Sequence, residues 1–153
     1  MLTPLGAAMV LPKPYYRQLM AAADRLLLQD EATPAIIMAF TACEVLTEQA
    51  FDELWPSRGL PELARPVSRA LRSNNLADER VRSVYNALSA DRIEGQSFWD
   101  AFKDLATLRN GLVHGKERRV SDEQAQSAID AARALQACIV RRLYPYAMPT
   151  VTR

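Results

Sequence analysis

The chain has few glycines, very few lysines, one histidine and no long uncharged apolar run. Five Gly in 153 residues, beside an excess of Ala, Leu, Arg and Glu, leave helix as the favoured local state, because these side chains lose little rotamer freedom on a helix. Strand-like alternation is nowhere evident. A single His, at position 114, excludes a His-rich metal cage, and no Gly-rich loop is present to cradle phosphate. Cys43 and Cys138 each sit inside an apolar helical pattern, with no His or second Cys at metal-ligand spacing. They read as buried thiols, not as a disulfide framework. Neither a metal nor an organic cofactor is expected. Charges interrupt every apolar stretch before the roughly 20 residues needed to cross a bilayer, so no membrane partner is expected. Residues 1–11 lack a basic start and contain Pro4, which argues against a signal peptide and for a cytoplasmic location.

Apolar residues make up 49% of the chain, enough for one sizeable core at this length. The formal charge is +1, yet only Lys13, Lys103 and Lys116 are Lys, and 16 residues are Arg. Arg is the better fork for phosphate oxygens. A proteome of biased composition explains the excess equally well.

Helical periodicity predicts an all-α, up-and-down bundle of about five main helices over residues 14–146. An irregular arm (1–13) precedes it and a tail (147–153) follows it. Tyr16, Leu19, Met20, Ala23, Leu26 and Leu27 mark the first helix. Thr33 before Pro34 predicts the N-cap of the second, whose stripe of Ile36, Ala39, Phe40, Cys43, Ala50, Phe51 and Leu54 ends at Pro56 and Gly59. Ile37 and Val45 lie off that stripe, which predicts packing on several sides. Prolines 61 and 66 and the pair Asn74, Asn75 permit only short pieces between 60 and 75, a region rich in Arg. Ala77, Val81, Val84, Tyr85 and Leu88 mark the third main helix. Ser97 is the expected cap of the fourth, which carries Phe98, Ala101, Phe102, Leu105, Leu108 and Leu112 and stops at Gly115. Ser121 with Gln124 predicts a capping box on the last, which runs to Pro145.

The chemistry-bearing segment is the end of the fourth helix, where Arg109, Asn110 and His114 crowd into the last turns. At 100° per residue Asn110 and His114 lie about 40° apart and share a face. Arg109 instead points into the apolar stripe near Phe98 and Phe102, where a guanidinium needs a carboxylate partner or an exit to another surface. One reading pairs it with Glu44 or Glu48 of the second helix. If that pair is buried, breaking it costs of order 3–5 kcal/mol. The other brings the same tip out into a cleft to hold phosphate. His114 has a purely structural alternative as well, since an imidazolium complements the C-terminal helix dipole. The spacing alone is weak evidence: with 16 Arg in 153 residues, an Arg five positions before the only His arises by chance roughly one time in ten.

The wider string is more specific. An apolar amphipathic helix leads into Arg109 and Asn110, then His114 and Gly115, a short basic loop and an Ala-rich final helix. In this the chain resembles the HEPN domain family from about residue 14 to 144. The family hallmark is Arg, a polar residue, further spacer residues and His, and Arg109, Asn110 and His114 match it with four spacers. Toxins of the family paired with a nucleotidyltransferase antitoxin usually carry Tyr two residues after the His. This chain has Lys116, a departure that argues against that pairing. The Arg-rich region between 58 and 82 has no family counterpart.

The resemblance implies metal-independent endoribonuclease activity, in which a ribose 2′-hydroxyl attacks the adjacent phosphate and leaves a 2′,3′-cyclic phosphate and a 5′-hydroxyl. Arg109 would neutralise phosphate charge, His114 would move protons, and Asn110 would orient the His or the phosphate. Lys116, Arg118 and Arg119 would hold flanking phosphates, although a solvated basic loop explains them equally well. The implied partners are RNA, a second copy of the chain sharing a composite site, and an antitoxin or other defence-system protein. Two further readings stay open: a HEPN-like module that binds RNA or a nucleotide without cutting, and a helical scaffold that only dimerises.

Overall fold

A computed structural model of the chain describes residues 14–117 and 119–145. The expected arm (1–13), the tail (147–153) and Arg118 lie outside the described residues. Among the described residues six α-helices form: α1 (Tyr15–Leu28), α2 (Ala32–Ser57), α3 (Ala64–Leu71), α4 (Glu79–Ser89), α5 (Trp99–Val113) and α6 (Asp122–Leu143). Single 3-10 turns over Pro61–Leu63 and Ile93–Gly95 complete the order, and no strand occurs among the described residues. The all-α class and the five main helices expected from periodicity are present, with the eight-residue α3 added. No helix among the described residues is long and apolar enough to cross a membrane.

Helix α2 is the axis of the bundle. Ile36, Ala39, Phe40, Ala42, Cys43, Leu46 and Ala50 are buried over about 160° of its circumference, and Ile37 and Val45 are half-buried outside that arc. Helices α1, α4, α5 and α6 all pack on it, as expected of a helix covered on several sides. Small residues on α6, among them Ala125, Ala128 and Ala132, are fully or nearly fully buried and let it lie close to its neighbours. Phe40 of α2 stacks on Phe102 of α5 (centroids 6.1 Å apart), which in turn meets Trp99 at 5.6 Å. The thiol of Cys43 donates to the Ala132 carbonyl (3.8 Å) and accepts from Gln136 Nε2 (3.7 Å). Burial pushes its pKa up to about 12, as a thiolate has no place in an apolar interior.

Three helix ends differ from expectation. Helix α2 starts at Ala32 with Glu31 as its N-cap residue, so Thr33 and Pro34 fall in the first turn. There a missing proline N–H costs nothing, because that N–H has no intrahelical partner. The earlier start follows from the tight junction with α1, where Asp30 is left-handed (φ 59°) and the Glu31 N–H reaches back to the Leu26 carbonyl. Pro56 does not stop α2 but lies within its last turn. The stop is Gly59, whose φ of 72° carries the pair of reversed bonds Gly59 N to Pro56 O and Leu60 N to Trp55 O. Ser97 does not cap α5, which begins at Trp99 after Phe98 and has no side-chain cap.

Other ends are capped as their sequences suggest. Both halves of the Ser121 and Gln124 capping box are made. Asp78 caps α4 by accepting from Arg80 N. The C-terminal carbonyls of α4 are capped by arginines from the C-cap of α2 and from α6. Arg58 Nε donates to Leu88 O at 2.7 Å, and Arg142 donates to Ser89 O.

Candidate functional site

Gly115 sets the geometry at the end of α5. Its φ of 68° is one that L side chains rarely adopt, and it closes the helix with Gly115 N to Leu112 O (3.3 Å) and Lys116 N to Gly111 O (2.8 Å). The chain turns back at once, and Glu117 N also donates to Gly111 O at 3.1 Å. The returning side chain fills the space above Gly111. A Cβ placed there would stand 2.7 Å from Glu117 Cγ. The close approach that this glycine permits is therefore made by Glu117 of the same chain.

His114, the C-cap residue, is exposed. It lines an open groove of about 350 Å³ with Thr107, Leu108, Asn110, Gly111, Lys116 and Glu117. Asn110 and His114 share this groove, as their four-residue spacing requires. Arg109 does not line the groove and reaches it only through Asn110. Its Nη1 donates to Asn110 Oδ1 at 3.1 Å, its guanidinium carbon lies 5.1 Å from the centre of the Phe40 ring, and its Nη2 is 3.9 Å from Glu44 Oε2. Phe40 thus carries Phe102 and Arg109, two turns apart on α5, against one ring. Arg109 Nε is buried and meets no hydrogen-bond acceptor among the described residues.

The predicted carboxylate partner resolves to Glu44. Glu48 is exposed, lines a crevice beneath α3 and makes no ion pair with Arg109 among the described residues. The Glu44 pair is not a buried one: 28% and 29% of the two side chains remain exposed, and 3.9 Å is too long for a hydrogen bond. Burial pushes the Glu44 carboxyl above its ordinary range, and the Arg109 charge pulls it partly back.

Lys116 belongs to the groove, and Arg119 is exposed beyond it. Sequence reasoning missed Glu117 and Phe40 as parts of the site. Glu117 was legible as the acidic break in a basic loop, three residues after His114. Phe40 was legible only as a core residue one turn before Glu44. Among the described residues no three His, Cys, Asp or Glu side chains gather as a possible metal-binding set. No family model, curated protein or solved structure matches the chain.

Proposed function

We propose that the chain is a metal-independent endoribonuclease of HEPN type. The observation that carries this reading is the convergence at one helix end of the Arg109 guanidinium, hydrogen-bonded to Asn110 at 3.1 Å, and an exposed imidazole, His114, in the same groove as Asn110. In the reaction the 2′-oxygen bonds to phosphorus as the bond from phosphorus to the 5′-oxygen breaks. A base takes the 2′-hydroxyl proton and an acid protonates the departing 5′-oxygen. His114 serves one of these steps, and Arg109 and Lys116 balance the phosphate charge.

One imidazole cannot be base and acid in the same instant. The reading therefore extends to a symmetric homodimer in which the α5 ends of two chains line one cleft. Val113, half exposed beside His114, supports an apolar contact there. A cytoplasmic toxin or defence role, with an antitoxin or other defence protein as partner, follows from the resemblance alone.

A second reading, a module that holds RNA without cutting it, draws support from the engagement of Arg109 with Asn110, Phe40 and Glu44, which limits its freedom to follow a reacting phosphate. Incubating labelled RNA with the protein in EDTA separates the two. Fragments ending in a 2′,3′-cyclic phosphate are the expected result. A shifted but intact band means binding alone, and an unchanged band overturns both readings.

A further inference from the structure

Six arginines lie between residues 58 and 82, and the groove at His114 uses none of them. Three have structural partners. Arg58 caps α4, Arg80 forks onto Asp78, and Arg82 donates to the Leu76 and Ala77 carbonyls while lying 5.2 Å from the Trp99 ring centre. The other three, Arg65, Arg69 and Arg72, are exposed. Among the described residues none of them has a carboxylate within 4.0 Å or a side-chain hydrogen bond.

All three lie on or at the end of α3. Ala64, Val67 and Leu71 turn the apolar face of this helix onto the bundle. At 100° per residue Arg65, Arg69 and Arg72 fall well away from that face, and they span about 10 Å along the axis. Arg72 is the C-cap, with a left-handed φ of 57°, a conformation that favours Gly or Asn, so the backbone does not call for Arg there. Glu48 and Asp52 line the crevice under α3 together with Leu71 and Asn74, yet neither carboxylate pairs with these arginines. Glu48 stands one turn along α2 from Glu44, the carboxylate that faces Arg109.

We infer that Arg65, Arg69 and Arg72 form a ladder that binds the phosphate backbone of RNA and extends the substrate path beyond the groove at His114. The identity of the polyanion rests on the ribonuclease reading above. Three unpaired guanidinium groups in a row fit successive phosphates. A lipid surface fits less well, because the apolar face of α3 is turned inward and cannot enter a bilayer.

The test is binding of fluorescent single-stranded RNA in EDTA, followed by anisotropy against salt, in a His114→Ala background that keeps the RNA whole. Arg65→Gln/Arg69→Gln/Arg72→Gln should bind about tenfold more weakly, with a salt slope shallower by about 2, since each lost phosphate contact on a single strand removes about 0.7. Arg80→Gln, which removes one charge from the same region, should leave both nearly unchanged. With His114 present, the triple variant should raise KM and keep kcat. Weakened RNA binding by the triple variant of a protein that cuts nothing would sustain the ladder and end the nuclease reading. Unchanged affinity and slope in a protein that still cuts would overturn the ladder alone. An equal loss in Arg80→Gln, or binding to phosphatidylserine vesicles in place of RNA, would also overturn it.

Discussion

Arg109 links the core to the proposed site, because its guanidinium lies over the Phe40 ring and donates to Asn110. Had the pair with Glu44 been fully buried, losing Arg109 would have stranded a carboxylate at a cost of several kcal/mol. With each side chain more than a quarter exposed and 3.9 Å between charges, the ion pair contributes little, and the contact with the Phe40 ring dominates. Arg109→Ala should therefore cost only about 1–2 kcal/mol, read as a modest drop in melting temperature. A loss above about 4 kcal/mol would mean that the pair is buried after all. The charge on Arg109 also acts on Glu44. Burial holds the Glu44 pKa above its ordinary value, so the folded state binds that proton more tightly than the unfolded chain. Its contribution to stability is greatest below the ordinary carboxylate range and is lost as pH rises through the raised value. Arg109→Met removes the opposing pull and should raise the Glu44 pKa further, as NMR titration of the side-chain carboxyl would show. An unmoved titration would separate the two residues. Cys43 offers a simpler check. With its thiol fully buried and its pKa near 12, it should resist iodoacetamide in the native protein and react once the chain is unfolded.

At the scale of the element, the groove at His114 is lined by the end of α5 and the turn that follows it, short of the start of α6. Two local devices hold the loop between these helices: Gly115 at φ 68° and the Ser121 capping box. Gly115→Ala forces a side chain into the left-handed region and should cost about 1 kcal/mol. Ser121→Ala should cost a similar amount, through an orphaned N–H at the start of α6. At this chain length each should lower the melting temperature by roughly 2–4 °C. A Gly115→Ala protein as stable as the parent would mean that this turn is not held as described. Both devices were legible in the sequence because they depend on residues within a few positions of one another. So was the shared face of Asn110 and His114. The Thr33 and Ser97 caps were misplaced because other residues stand at those helix starts. The tight junction between α1 and α2 starts α2 before Thr33 is reached, and Phe98 enters α5 without a side-chain cap. The extent of α3 was hidden by Pro66, which its first turn accommodates. The choice of Glu44 over Glu48 depends on where α5 crosses α2, and no local pattern encodes that.

For the whole molecule, one core runs through all the main helices, and the site lies at its edge where the α5–α6 turn meets solvent. Assembly decides whether one imidazole per chain suffices. If two chains share the cleft and both His114 side chains are needed, refolding an equal mixture of wild-type and His114→Ala chains leaves about one quarter of the dimers active. Activity at one half would mean independent sites. Gly111 leaves no room for close contact between copies, since Glu117 of the same chain occupies the space above it, whereas Val113 is exposed there. The central claim is that His114 carries proton transfer in RNA cleavage. It is tested most directly by the initial rate at which wild-type and His114→Ala proteins cut the same labelled RNA in EDTA. Because His114 is exposed and its side chain makes no hydrogen bond among the described residues, the variant should melt within a degree or two of wild type and cut no faster than the buffer blank. A His114→Ala protein that cuts RNA at the wild-type rate would contradict the account.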